Sequence, residues 1–457
     1  MALRRFVILA ATACAIQTAC TSQMARSPYV KDYVDRREFA AALDEIEQID
    51  KASSRLLYLY EKGIVLHYSG SYDESSAVLE EAERLFDDLY TKSLSREVGA
   101  MLTSDNLIQY RGERFEAALV HYYKILNYLL VSDTEGALVE CRKLDNRFKT
   151  FAESDDSVYV NDPFLQYLTG MVYLEGGELA DADVSLRSAL KAYGALGGRY
   201  ALEVPPSLRC DLARCATLLG DHDAAERYAE TAEGCDPSEG KRGYGTVNVF
   251  LDCGYAPYKI EQNIVFPIYK GEVHDDTDAD RFAATLTNRY GEPINEDIEL
   301  DYILRVAVPE LVSSPEPFAA AWIRVAVEGR PREEPARIVE NLDALGFEAF
   351  EARRGGILLK TVARALVKYL AKEGVDDKSA LAGWIVNLFN VATETADVRS
   401  WATLPQTIRM ARLVVPEGTY DLEIVLRAAA SEMDESCVIE DVEVTSGRST
   451  FLNLRIN

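Results

Sequence analysis

The 457-residue sequence predicts an α+β chain of more than one domain, with a helical repeat array first and a mixed, strand-rich region after it. Three observations carry that prediction. Gly and Ala recur at fixed helical spacings between about residues 35 and 235. After Pro237 the apolar pattern changes to alternation, the period of strands. The composition, 48% hydrophobic and 27% charged, is globular and excludes a disordered or collagen-like chain. With 49 Lys and Arg against 75 Asp and Glu, the net charge is -26, a surface that repels phosphate backbones and argues against a nucleic-acid partner. Only 4 His are present, which leaves little room for a multi-His metal site or a His-based triad, and no metal or cofactor is expected.

The chain begins MALRRFVILAATACAIQTAC. Arg4 and Arg5 precede an apolar stretch from Phe6 to Ile16, too short for a transmembrane helix of about 20 residues but suited to an export signal. Thr18 and Ala19 before Cys20 make the segment resemble a bacterial lipoprotein signal, with Gln17 in place of the usual aliphatic residue. The resemblance implies removal of residues 1–19 and lipidation of Cys20; cleavage after Ala19 without lipid is the alternative. Thr21, rather than Asp, then favours the outer membrane over the inner one, with the rest of the chain tethered on its periplasmic face. Six cysteines remain, none in a CxxC pair, and they are expected to be mostly free and structural.

The clearest repeat places Gly170, Tyr173, Gly177, Leu179, Ala182, Leu186 and Ala189 at successive spacings of 3, 4, 2, 3, 4 and 3. Gly63, Leu66, Gly70, Tyr72, Ser75, Leu79 and Ala82 repeat those spacings, and Ala213, Ala216, Gly220, His222, Ala225, Ala229 and Ala232 form a third copy. A degenerate copy lies around Tyr128 and Ala137. The pattern resembles the tetratricopeptide (TPR) repeat over residues 30–240, which implies stacked helical hairpins whose concave face binds a protein segment. Carried onto this chain, the inward residues are Tyr60, Ile64, His67 and Tyr68, then Tyr122 and Tyr123, then Phe164, Tyr167 and Met171. These side chains either meet a partner or pack between repeats or under a long connector.

In the second half, residues 244–457, strands are expected at Gly243–Asp252, Lys259–Tyr269, Tyr302–Val308 and Trp322–Val327. A helical section is expected from Pro335 to about Thr393, and two strand-turn-strand units close the chain. Pro416-Glu417-Gly418 makes residues 410–457 resemble the PEGA module of bacterial envelope proteins, expected here as β hairpins. Together with GYAPYK at Gly254–Lys259 and RSWATLP at Arg399–Pro405, these features resemble an uncharacterised family of bacterial TPR outer-membrane lipoproteins.

Sequences that mimic active sites fail on inspection. Gly234–Lys241 fits GxxxxGK, but Arg242 follows where Ser or Thr would hold magnesium, and the segment follows a helix rather than a strand. Asp276, Asp278 and Asp280 lack the Gly and the bidentate Glu of a helix-loop-helix calcium site. Lys360, Arg364, Lys368 and Lys372 form a basic stripe on one helix face, readable as a lipid-headgroup contact, as a dock against the acidic repeats or as the solvated face of a core helix. The expectation is therefore a non-enzymatic envelope lipoprotein that uses its repeats for protein–protein interaction or assembly, with envelope proteins as partners. The alternative is an enzyme or regulator of cell-wall assembly with its site near Asp397 and Arg399.

Overall fold

The computed structural model describes residues 27–49, 53–94, 109–154, 159–269, 300–316, 318–372, 396–428 and 434–457. Cys20 and the run from Asp276 to Asp280 lie outside them, as do the side chains of the basic stripe. The first half is helical: α1 (27–35), α2 (Phe39–Glu47), α3 (Arg55–Tyr68), α4 (Tyr72–Leu94), α5 (Arg114–Leu130), α6 (Thr134–Ala152), α7 (Pro163–Glu175), α8 (Leu179–Tyr200), α9 (Pro206–Leu219) and α10 (His222–Thr231). Helices α3/α4, α5/α6, α7/α8 and α9/α10 pair as hairpins, and α4/α5, α6/α7 and α8/α9 pack between them. This is the stacked arrangement that the TPR resemblance implies.

The repeat spacings have a steric cause. A Cβ on Gly63 would lie 2.4 Å from Leu79, and one on Gly170 would lie 2.6 Å from Leu186. Both pairs are sixteen residues apart, so in each hairpin one leucine fills the notch that a glycine leaves. The turns at Gly70, Gly177 and Gly220 need φ of +81°, +78° and +77°, a region that glycine enters without a Cβ penalty. In the α5/α6 hairpin Ser132 holds that place at φ +60°. Counting from that turn, the size pair is inverted: buried Ile125 stands at the glycine position and buried Cys141 at the leucine position.

Strands follow as β1 (Tyr244–Cys253), β2 (Tyr258–Tyr269), β3 (Leu300–Val312), β4 (Phe318–Val327), β5 (Arg330–Pro335) and β6 (Arg337–Asn341). After them come α11 (Leu342–Lys372), β7 (Thr407–Pro416), β8 (Gly418–Ala428), β9 (Asp434–Val444) and β10 (Ser449–Ile456). The expected helix from Pro335 therefore starts seven residues later, because Arg337–Asn341 pairs with β7. The inner sheet has the order β10-β1-β7-β6 and the outer sheet β5-β4-β8-β9, while β2 and β3 form a separate ribbon packed on α11.

Residues 410–457 do not form self-contained hairpins. β7 and β10 lie in the inner sheet, β8 and β9 in the outer one, so the segment is woven into a sandwich that also needs β1 and β4. Alternation explains the layering. Val247, Val249 and Leu251 of β1, with Ala411, Leu413 and Val415 of β7, face Ile323, Val325, Leu422 and Ile424 of the outer sheet. The intervening Phe250, Met410 and Phe451 face the helices and join their core. One apolar cluster thus spans both halves, and the change near residue 240 is one of secondary structure rather than of core.

Two cysteine expectations separate. Cys141, Cys215, Cys253 and Cys437 are free. Against the expectation of mostly free cysteines, Cys210 bonds to Cys235 and fastens α9 to the connector before β1.

Candidate functional site: the groove of the helical stack

The inward residues read from the sequence do share one face, but the chain's own second half covers it. Tyr60, Ile64, Tyr122, Tyr123, Phe164 and Tyr167 are fully buried, His67 and Met171 nearly so, and Tyr68 half-buried. The expected partner surface is therefore closed from within, because the helix-facing side of the inner sheet presents side chains that match it.

Asp252 of β1 is the centre of that match. Its carboxylate accepts hydrogen bonds from Tyr68 (2.9 Å), Tyr122 (3.0 Å) and Tyr123 (3.2 Å), all from the stack. Burial pushes the Asp252 carboxyl up, the Arg455 charge opposes this, and three phenols replace the lost water. His67 bridges Asn127 of the stack (2.6 Å) and Asn453 of β10 (2.8 Å). Phe250 packs edge-on against Tyr122 and Phe164. Farther along, Arg412 of β7 pairs with Asp211 (2.8 Å) and Glu239 (3.1 Å), while Tyr167 donates to Asp211 (2.9 Å). Glu239 belongs to the GxxxxGK look-alike, which is an ion-paired connector rather than a phosphate cradle.

The other end of the groove holds an irregular stretch, Ala396–Gln406, with a turn at Ala402–Thr403. Trp401 stacks on Tyr60 at 4.4 Å between ring centroids. The Ala402 amide donates to Glu61 (2.8 Å), and the Thr403 hydroxyl donates to the same carboxylate. The Trp401 amide donates to Glu116 (3.3 Å), which also accepts from Tyr110 (2.8 Å) and caps its own helix through the Glu113 amide (2.8 Å). Burial pushes Glu61 and Glu116 each up to about 7; hydrogen bonds from the stretch and from Tyr110 oppose it. Arg399 pairs with Asp397 (2.7 Å) and donates to the Ser53 carbonyl (2.6 Å). That pair, the site of the enzymatic alternative, anchors the stretch to the start of α3.

At the sheet edge, Asp162 and Glu340 meet as two buried carboxyls that share a hydrogen bond, each pushed up by burial. Asp162 also caps α7 by accepting from the Leu165 amide (2.8 Å). These contacts between residues hundreds of positions apart leave no local trace in the sequence. The polar residues Asn248, Asp252 and Arg412, set between apolar strand neighbours, are the signal that could have shown a second buried face.

A second charged cluster sits inside the stack, away from the sheet. Glu83, His121 and Glu140 have metal-ligand atoms close together, but the buried Lys124 ammonium lies among the carboxylates, 2.5 Å from Glu80, 2.8 Å from Glu83 and 2.9 Å from Glu140. Burial raises Glu140, but the His121 hydrogen bond and the Lys124 charge outweigh it and hold the carboxyl down at about 2. The cluster is an internal ion-pair network.

No family model matches the chain, and no curated protein does. Among solved structures, BtubC (BKLC) from P. vanneervenii is 14% identical, with 52% of this chain and 94% of that chain covered at a TM-score of 0.32. MamA of AMB-1 is 15% identical over 47% of this chain and 94% of its own, with a TM-score of 0.29. A putative kinesin light chain of Podosopora anserina with TPR-like repeats is 12% identical over 47% and 94%, with a TM-score of 0.30. At such scores the fold rests on the hairpins' own geometry.

Proposed function

We propose that the chain is a non-enzymatic scaffold of the bacterial cell envelope, lipid-anchored at the outer membrane through Cys20, with its helical array serving protein–protein interaction or assembly. The observation that carries this reading is the content of the groove. It holds polypeptide, with backbone amides on buried carboxylates and a tryptophan on a tyrosine, so its chemistry is that of peptide recognition satisfied in cis. The Cys210–Cys235 bond supports an oxidising compartment, in line with the signal-like N-terminus.

Because the groove is filled, an envelope partner meets the outer helices. Val139 and Val184 stand there at the same repeat position, seven residues after the turn residues Ser132 and Gly177, and are 48% and 56% exposed. The test combines fatty-acid labelling and photo-crosslinking in intact cells. Wild type should incorporate the label and fractionate with the outer membrane, whereas Cys20→Ala should do neither. Crosslinkers at Val139 and Val184 should capture the same envelope protein, and one at Tyr167 should not. Equal fractionation of Cys20→Ala, or capture only from Tyr167, would contradict the proposal.

A further inference from the structure

The stretch that fills the groove is held by two carboxyl groups that have no cation in direct contact. Glu61 on α3 is 4% exposed and Glu116 on α5 is 3% exposed, and among the described residues neither has Lys, Arg or His within 4 Å. Both point across the same gap and receive the consecutive amides of Trp401 and Ala402. A carboxyl group can hold those amides whether protonated or ionised, but an ionised one must stay charged in a buried place where Lys31 and Lys259 act only from beyond contact distance.

We propose that the docking of the Arg399–Thr403 segment in the helical groove is a proton-controlled latch, closed in acid and loosened as the pH rises past neutrality.

The charges around each group support this. Facing Glu61, α1 supplies Lys31, whose own amine is pushed down to about 8 by burial, so its help fades in the same pH range. Lys31 is itself opposed by Arg455 of β10 and assisted by Asp35 of α1. The docked segment offers Glu61 only the neutral Thr403 hydroxyl and the amides. Facing Glu116, Glu113 of its own helix repels, Lys259 of β2 attracts, and Tyr110 donates a hydrogen bond. The phenol of Tyr60, across on α3, stays neutral because burial pushes it well up. Within the segment, Arg399 and Asp397 pair with each other, and the Arg399 guanidinium lies over the Tyr110 ring at 5.7 Å.

The sign follows from the direction of the shifts. Burial outweighs the hydrogen bonds and holds both carboxyls near 7 in the docked state; in the proposed latch, release returns them to water and the ordinary 4.5, so the docked state binds more protons. Its advantage is complete below pH 4.5 and is lost as the pH climbs through 7. Between pH 6 and pH 8 the linkage reduces closure about tenfold for each carboxyl, or roughly 100-fold for two independent ones. The latch is a contact within the chain and stands apart from any outside partner or membrane anchor.

Trp401 reports on it directly. In a Trp322→Phe/Trp384→Phe background, Trp401 is the remaining tryptophan. Its emission should be blue-shifted and poorly quenched by acrylamide at pH 6, then move red and become quenchable toward pH 8 while far-ultraviolet circular dichroism stays constant. Glu61→Gln/Glu116→Gln, which keeps shape but removes both titrations, should hold the pH 6 signal at pH 8. Amide exchange of Trp401 and Ala402 in the unmodified chain, corrected for intrinsic rates, needs no variant and should lose protection between pH 6 and pH 8 by roughly 100-fold at most. A flat tryptophan profile with unchanged amide protection would overturn the latch. So would a transition that persists in the double Gln variant.

Discussion

Two buried carboxyl clusters in this molecule meet opposite fates. Around Lys124, the acids of α4 and α6 surround an ammonium group, and Glu80 and Glu140 are each held down at about 2 in spite of burial. At the groove, Glu61 and Glu116 face backbone amides and hydroxyls, and each is pushed up to about 7. Burial is common to both; what differs is direct contact with a cation, since Lys124 and Lys143 touch the first cluster whereas Lys31 and Lys259 act on the second only from beyond 4 Å. The first cluster should resist rising pH and fail in acid, whereas the second should hold in acid and weaken in alkali. Apolar burial along the groove offsets the cost of such acids: Trp401 stacks on Tyr60, and Phe250 and Phe451 are buried elsewhere on the inner sheet, each phenylalanine contributing about 1.5–3 kcal/mol.

The contrast is broken most severely by removing its cation. Lys124→Met leaves Glu80, Glu83 and Glu140 with the more exposed Lys143 as their remaining ammonium partner and should cost about 3 kcal/mol in urea unfolding at pH 7. That loss should shrink as the pH falls and the acids take up protons; a loss that stays constant would mean that Lys124 matters for packing alone. Next in size is the acid limb of the unmodified chain. Glu140 contributes stability that is present above 4.5 and lost as the pH falls toward 2, worth about 3 kcal/mol. Glu140→Gln should flatten that part of the pH–stability curve, and an unchanged slope would count against the assignment.

A smaller effect tests the frame that carries both clusters. Gly63→Ala puts a methyl against Leu79 and should destabilise by about 1–3 kcal/mol. Adding Leu79→Val should recover part of it, since the two side chains share one notch. Absence of any recovery would mean that the glycine serves something other than the leucine. The smallest change is expected from Glu61→Gln, which should leave stability within about 1 kcal/mol at pH 6 and raise it at pH 8. A loss at pH 8 would show that the ionised form is the one that holds the segment.

How much of this was legible depends on the distance over which each contact acts. The hairpins of α3/α4 and α7/α8 stood out because glycine at the notch and glycine at the turn are local necessities, visible as fixed spacings. The α5/α6 hairpin was faint because Ser132 replaces the turn glycine and the Ile125/Cys141 pair inverts the size pattern. The inward face was readable from Tyr60 to Met171, but its occupant was not. Asp252 lies 184 residues from Tyr68, and Ala402 lies 341 from Glu61, so no periodicity links them. The Cys210–Cys235 bond escaped for the same reason, since spacing alone gives no geometry.

The face expected to receive a partner already receives the chain's own sheet and the Ala396–Gln406 stretch. Hydroxyl-radical footprinting of the intact protein at pH 6, read tyrosine by tyrosine, tests it most directly. Tyr60, Tyr122, Tyr123 and Tyr167 should react far more slowly than Tyr29 and Tyr258, which are 59% and 39% exposed. Groove tyrosines that react as fast as Tyr29 in the folded protein would show the face to be open, and would contradict the account.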